Sequence, residues 1–360
     1  MMTRDGIIAA IRSGEGIENA DLSGMDLSGM DLTGLRLENV TMKKVDLRGA
    51  KLEKTGFINC DLSGAILDCQ SLKGLNWTKM KLVGASLKSV RFHMMILSES
   101  DFSGADFTGA EIDMSTLDNV DLTGANLSDS RIIQTSLLKA TLRSARFDRS
   151  RITRTLFSEA DLTGTIFSAT AFDRALLDEC NLEHRDLGSC SFRLVQFNGS
   201  RLAGINLAGA SVQMCGFSGA DLAGANLERI NGGQCNFTKS SLIKTRFAGA
   251  QLEQSNFTKA LLTECDFTNA SLKQGILTSA TCSAASFRGA DLSYATLSHA
   301  DLTLADFSNA NLTLATMHRI IEKNTKWDNA VTTGAKYTDP ELAKAEDWNP
   351  PVGDIWKERP

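Results

Sequence analysis

The chain has 360 residues, 42% of them hydrophobic and 22% charged, with a formal net charge of -5 at pH 7. That balance excludes a strongly basic nucleic-acid binder, and no apolar stretch reaches the roughly 20 residues of a membrane span. Eight cysteines occur without a CxxC pair or a Cys/His ligand spacing, which reads as small buried thiols in a reducing cytoplasm.

In chain order, residues 1–16 come first. Thr3 is a candidate N-cap, and Ile7, Ile8 and Ile11 recur at helical spacing, so a short amphipathic helix is expected to cover whatever follows. From residue 17 to 337 the pattern changes. The stretch NADLSGMDLSGMDLTG (residues 19–34) returns a leucine every fifth residue at Leu22, Leu27 and Leu32, a period that neither a helix nor a strand keeps on one face. Steps of five from Leu22 reach Met317 through sixty positions, and only Gly232 and Cys282 depart from Leu, Phe, Ile, Met, Val or Trp. All 17 phenylalanines stand in this column, so every one is assigned inward. The column two residues earlier is mostly Ala, Ser, Thr, Cys or Val and forms a second, tighter inward position. Six cysteines fall in the small column (Cys60, Cys180, Cys190, Cys215, Cys235, Cys265), Cys282 falls in the large one, and Cys69 in neither. The other three columns are polar, with Asp or Asn before the large residue and Gly often two after it, as a corner with unusual dihedrals requires.

Phe–Phe pairs twenty residues apart number eight, against two at fifteen, which selects a coil of four pentapeptides. Phe197, Phe217, Phe237 and Phe257 then form one ladder, and Phe247, Phe267, Phe287 and Phe307 another. Ile112, Ile132 and Ile152 form a branched ladder on a third face. Sixty pentapeptides give about fifteen coils and a rod of roughly 70 Å at the usual strand spacing. Beyond it, residues 338–360 hold all four prolines, a helix start at Thr338-Asp339-Pro340-Glu341, and an irregular end with Trp348 and Trp356.

The motif A(D/N)LxG, as in Ala105-Asp106-Phe107-Thr108-Gly109 and Ala220-Asp221-Leu222-Ala223-Gly224, resembles the pentapeptide-repeat family over roughly residues 20–337. The resemblance implies an all-β solenoid, a right-handed quadrilateral β-helix, here with short helical caps at both ends. It also implies a possible activity of some members, imitation of DNA to inhibit or protect DNA gyrase, a type II topoisomerase. A third association of such rods is with bacterial secretion systems.

No catalytic pattern stands out, and no cofactor or metal site is assigned. His93, His184, His299 and His318 occupy outward columns without a nucleophile or HExxH motif. Charge is more telling. Residues 99–129 carry eight acids and no base, whereas residues 131–154 carry seven bases (Arg131, Lys139, Arg143, Arg146, Arg149, Arg151, Arg154) and one acid. Each block is little longer than a coil, so the blocks are rings around the rod and not a stripe along it, a weak imitation of DNA.

The face carrying Leu32 through Leu312 lacks most of its corner glycines. Met94, Met114 and Met214 stand there instead, beside Arg131, Arg151, Arg154 and Arg174. Met and Arg on a flat sheet suit a protein or dimer interface. The candidate binding residues are these seven, the belt residues Arg143, Arg146 and Arg149, and the tail residues Trp348 and Trp356.

Two inward positions break the pattern. Gly232 should leave a hole beneath Val212 and Leu252 unless Ile230 fills it, and Arg185 should force a local bulge or bring Glu183 and Asp186 with it. The expectation is a non-catalytic bacterial scaffold that binds other proteins, with a homodimer through a flat face or a terminus also compatible. The expected location is the cytoplasm, and signal-peptide-independent export is compatible with the sequence.

Overall fold

The computed structural model describes residues 3–348 and forms a parallel β-solenoid. Helix α1 (Arg4–Ser13) opens it, with the Thr3 hydroxyl accepting from the Gly6 N–H and Gly14 closing it in the left-handed conformation. Ile7 and Ala10 of α1 are buried against the first coil, which gives the helix an apolar anchor. Among the described residues, no helix is long and apolar enough to cross a membrane.

Above α1 every coil repeats at twenty residues. Parallel pairings run from Ile17–Leu37 to Thr316–Lys336, always between residues i and i+20. The large column points inward throughout: all phenylalanines are buried. The eight predicted pairs stack face to face, with ring centroids 4.7 Å apart and 3° between planes for Phe247–Phe267, and 4.8 Å and 8° for Phe237–Phe257. The small column is satisfied as well as filled. Hydroxyls and thiols there donate to the carbonyl 23 residues earlier, as Thr245 does to Leu222 at 2.8 Å and Cys235 to Val212 at 2.9 Å. Asp and Asn recur before the large residue because their Oδ1 accepts the N–H two residues on, for example Asp101 from Ser103 at 2.9 Å.

Strands of two or three residues are confined to part of the rod. β1 (Ile17–Glu18), β2 (Arg36–Glu38) and β3 (Gly56–Ile58) form one sheet. On the neighbouring face β4 (Ser71–Lys73), β5 (Arg91–His93), β6 (Glu111–Asp113), β7 (Arg131–Ile133), β8 (Arg151–Thr153), β9 (Ala171–Asp173) and β10 (Ser191–Arg193) form a sheet of seven. The ten strands therefore occupy about nine levels, β3 and β4 sharing one coil, and not the fifteen that sixty pentapeptides give. Elsewhere each side is a single bridge between two tight corners. The inward residues of the seven-stranded face are Leu72, Phe92, Ile112, Ile132, Ile152, Phe172 and Phe192, and its branched and aromatic members favour extended backbone.

The ladder opens at two steps, both beside oversized inward side chains. The pairings Lys51–Ser71 and Gly56–Asn76 are absent among the described residues, next to Gln70, Leu75 and Trp77 in the core. Asp161–Asn181 and Ile166–Asp186 are absent at the corner occupied by Arg185. Arg185 keeps regular backbone hydrogen bonds to Leu182 and Asn206, but its Nε is buried without a partner. Glu183 pairs with Arg201 at 2.8 Å and not with Arg185. The expected bulge is thus a parting of coils, driven by a guanidinium where the column holds alanine. At Gly232 there is no hole: a Cβ would meet Ile230 at 3.1 Å, Val212 at 3.2 Å and Leu252 at 3.3 Å, so its neighbours have closed over it.

Helix α2 (Pro340–Glu346) follows the last coil, with Asp339 as its N-cap accepting from Glu341 and Leu342. None of its residues is buried. Trp348 is 68% exposed, and Trp356 lies outside the described residues.

Candidate protein-binding face

The seven-stranded face is a narrow parallel sheet whose outward residues come from the first and third positions of each strand. Beside it runs a corner column in the left-handed conformation. Met94, Met114, Gln134, Arg154, Arg174, Leu194 and Met214 occupy successive corners at φ between 45° and 56°. A non-glycine residue costs about 1 kcal/mol there, so side chains have been kept at a price in local conformation. Such corners are common all over this rod, however. Missing glycine alone does not single out a surface; the kind of side chain does. Met94, Met114 and Met214 are each about half exposed (52%, 49% and 47%), and Ile96 and Leu156 around the corner are exposed too. Met114, Gln134, Arg154 and Leu156 line a shallow hollow between them. Higher up the same corner, Gln234, Gln254 and Gln274 form an amide ladder with bonds of 2.7 and 2.8 Å. Their common twenty-residue spacing was the signal for it.

The structure divides the basic belt into two groups. Four members are stitched to acids on their own or a neighbouring coil: Lys139 to Glu159 at 3.4 Å, Arg143 to Asp161, Arg146 to Asp148 at 2.8 Å, and Arg149 to Asp129 at 2.6 Å. The Arg149 hydrogen bond holds the Asp129 carboxyl below its usual range. Arg131, Arg151 and Arg154 have no ion-pair partner among the described residues, and all three lie on the seven-stranded face or its corner. Arg131 stands in register between Glu111 of β6 and Arg151 of β8, so it has one opposite-charge and one like-charge neighbour in the sheet. Arg174 pairs with Asp173 at 3.1 Å. The acidic belt is divided likewise: Glu99 pairs with Lys79, Asp106 with Lys88, Glu111 with Arg91, and Asp113 with His93 at 2.8 Å, whereas Asp101, Asp118 and Asp121 have no ion-pair partner among the described residues. Sequence spacing could place the belts but could not say which charges find partners.

In one cluster the spacing of His299 and His318 places the two rings on neighbouring coils, 5.5 Å apart, but not the carboxylate between them. His318, expected outward, is 5% exposed, because Glu346 of α2 comes down on it. Glu346 reaches His299 at 3.3 Å, His318 at 3.2 Å and Arg319 at 3.3 Å, while Arg319 also bonds Asp347 at 2.8 Å. Desolvation pushes the Glu346 carboxyl up, but the hydrogen bonds from His318 and Arg319 outweigh it and hold the carboxyl below its ordinary value. The Asp339 N–H donates to Nδ1 of His318, so the proton of the neutral ring sits on Nε2 and faces Glu346. The trio is arranged as a hydrogen-bonded latch for α2. A cation there would have to displace that proton and stand beside the Arg319 guanidinium.

The cysteines are free. Burial pushes the thiols of Cys180, Cys215 and Cys265 up to about 12 and that of Cys190 to about 11. Cys69 is the exposed one.

The family model for pentapeptide repeats matches in eight copies, spread over residues 17–68, 85–193 and 215–319. Among solved structures, the chain is similar to HetL, a pentapeptide repeat protein involved in heterocyst differentiation regulation from the cyanobacterium Nostoc sp. strain PCC 7120. That match has 23% identity, covers 69% of this chain and 89% of that one, and has a TM-score of 0.27. It is similar also to full-length QnrB1, a plasmid-mediated fluoroquinolone resistance protein, at 20% identity over 76% of this chain and 96% of that one, with a TM-score of 0.20. A pentapeptide repeat protein from the Arabidopsis thaliana thylakoid lumen is 38% identical over 22% of this chain and 59% of its own, with a TM-score of 0.16. No curated protein matches. With its family model matched along most of its length, the chain belongs to the pentapeptide repeat family.

Proposed function

We propose that this protein is a non-catalytic docking scaffold that engages other proteins through the β4–β10 face and its corner. The observation that carries the proposal is the division of the basic belt. Arginines elsewhere in the belt are neutralised by their neighbours, whereas Arg131, Arg151 and Arg154 are left without partners beside exposed Met94, Met114, Ile96 and Leu156. Exposed ion pairs add little to stability, so the fold does not require these three arginines, and Arg151 stands in register with the like charge of Arg131. Apolar anchors among arginines are the composition of binding surfaces. An acidic partner surface fits this face. Imitation of DNA toward a type II topoisomerase has less to rest on, because five of the eight acids in residues 99–129 are paired with a base and the acidic belt gives way to a basic one in the next coil.

The test compares two triple reversals, R131E/R151E/R154E and R143E/R146E/R149E, in quantitative co-purification from the native host at two salt concentrations. The first should abolish salt-sensitive partners and the second should spare them. Loss of the same partners from both variants, or from neither, would overturn the assignment.

A further inference from the structure

Arg185 is the one charged residue in the small inward column between residues 20 and 335. The seam beside it has lost a set of backbone hydrogen bonds that its neighbours keep. Around the same corner on the coil below, Leu142 donates to Asp161, Ser144 to Thr163 and Phe147 to Ile166; on the coil above, Leu182 donates to Arg201, His184 to Ala203 and Leu187 to Asn206. Between them, the N–H groups of Leu162, Gly164 and Phe167 find no acceptor among the described residues, and that of Ala169 turns to the Ser189 hydroxyl at 3.1 Å. The seam spans two sides of the rod. On the other two the same coils stay joined, through β8 and β9 and through the Leu156–Leu176 bridge. The opening is therefore a narrow slot, suited to a small ion and not to a chain.

Negative charge is what this slot lacks. The acids around Arg185 are engaged elsewhere: Glu183 pairs with Arg201, Asp161 with Arg143, and Asp186 accepts from the Gly188 N–H at 3.1 Å and the Asn206 amide at 3.0 Å. The carbonyls of Asn181, Glu183 and Asp186, freed by the parting, border the slot too, but they are neutral and balance no charge. A guanidinium does not give up its proton, so a buried one without a counter-ion bears its desolvation cost in full. We propose that the seam binds one small tetrahedral oxyanion of the phosphate or sulfate kind. The Arg185 guanidinium meets it with paired N–H groups, and the freed backbone N–H groups of Leu162, Gly164 and Phe167 border it as further donors. The ion supplies the charge that no side chain supplies and ties together the two coils that Arg185 parts. This corner lies half a coil away from the Met94–Met214 corner, so the site does not depend on the docking face.

The test is calorimetric titration of the full chain with inorganic phosphate in chloride buffer at constant ionic strength, with thermal unfolding and hydrogen exchange read alongside. Wild type should take up one phosphate per chain, its melting midpoint should rise with phosphate concentration, and the amides of Leu162, Gly164 and Phe167 should gain protection. R185A should lose both the heat of binding and the phosphate-dependent shift, while melting above wild type where phosphate is absent. R185K keeps the charge without the paired donors and should bind more weakly than wild type. The proposal is overturned by an absence of binding heat in wild type, or by a melting shift equal in wild type and R185A, which is the behaviour of an ion excluded from the protein surface. It is overturned equally by protection gained away from the seam, or by a phosphoserine peptide that binds as tightly as the free ion.

Discussion

Phe237→Ala tests the stacked interior at its most regular point. The ring is fully buried, lies 4.9 Å from Phe217 at 4° and 4.8 Å from Phe257 at 8°, and meets the edge of Phe247 at 5.8 Å. Truncating a buried Phe costs about 3–5 kcal/mol through lost transfer energy and the cavity left behind. The upper half of that range is expected here, since the coils above and below are tied by hydrogen bonds at 2.7 Å and cannot collapse into the space. In a solenoid each coil contacts only its neighbours, so the loss should be concentrated nearby. The assay is urea unfolding followed by far-UV circular dichroism, with hydrogen exchange resolved by coil. Protection should fall most across residues 217–257 and least near α1. A loss under about 1 kcal/mol, or one spread evenly over the rod, would refute both the twenty-residue stack and the local coupling.

Arg185→Ala should stabilise the protein by roughly 1–3 kcal/mol, the usual cost of a buried unpaired donor, and increase exchange protection at residues 161–169; a lowered melting temperature would show that Arg185 is held by contacts that matter. In the native protein a thiol reagent at neutral pH should modify Cys69 alone, because the burial that raises the other thiols also blocks access; rapid labelling of a second cysteine, read by mass spectrometry, would contradict the packed small column. The Glu346 carboxyl is depressed, so the docking it provides against His299, His318 and Arg319 is complete above the ordinary carboxyl value and fades as the pH falls below that through the lower folded value. Exchange at α2 should therefore rise in acid before the rod loses ellipticity, and E346Q should bring the same loosening at neutral pH; α2 protection that is unchanged in either case would refute the latch.

The fold was legible because a β-solenoid writes its geometry into one short period. Column membership alone placed every phenylalanine inside, and the spacing of Phe pairs chose four sides. What the period could not supply is where two columns conflict. Arg185 is recognisable as misplaced, but only the folded chain shows that the coils part around it and that Glu183 is engaged elsewhere. At Gly232 the sequence left two outcomes, a hole or a space filled by Ile230, and the packing of Ile230, Val212 and Leu252 decides for the second. The candidate face was half legible: Met94, Met114 and the arginines were visible as a composition, while the division into paired and unpaired arginines depends on side-chain reach between coils. The Glu346 cluster was out of reach, since it joins a helix to residues 27–47 positions earlier with no period linking them.

Site-specific photo-crosslinking tests the docking account most directly. A benzophenone amino acid is introduced at Gln134, in the exposed corner of the β4–β10 face, and separately at Ser144, a corner on a different face of the next coil. Both corners already tolerate non-glycine side chains, so neither variant should disturb the rod. The account predicts salt-sensitive crosslinks to a defined partner from Gln134 and none from Ser144. Equal capture from both sites, or capture from Ser144 alone, would contradict it.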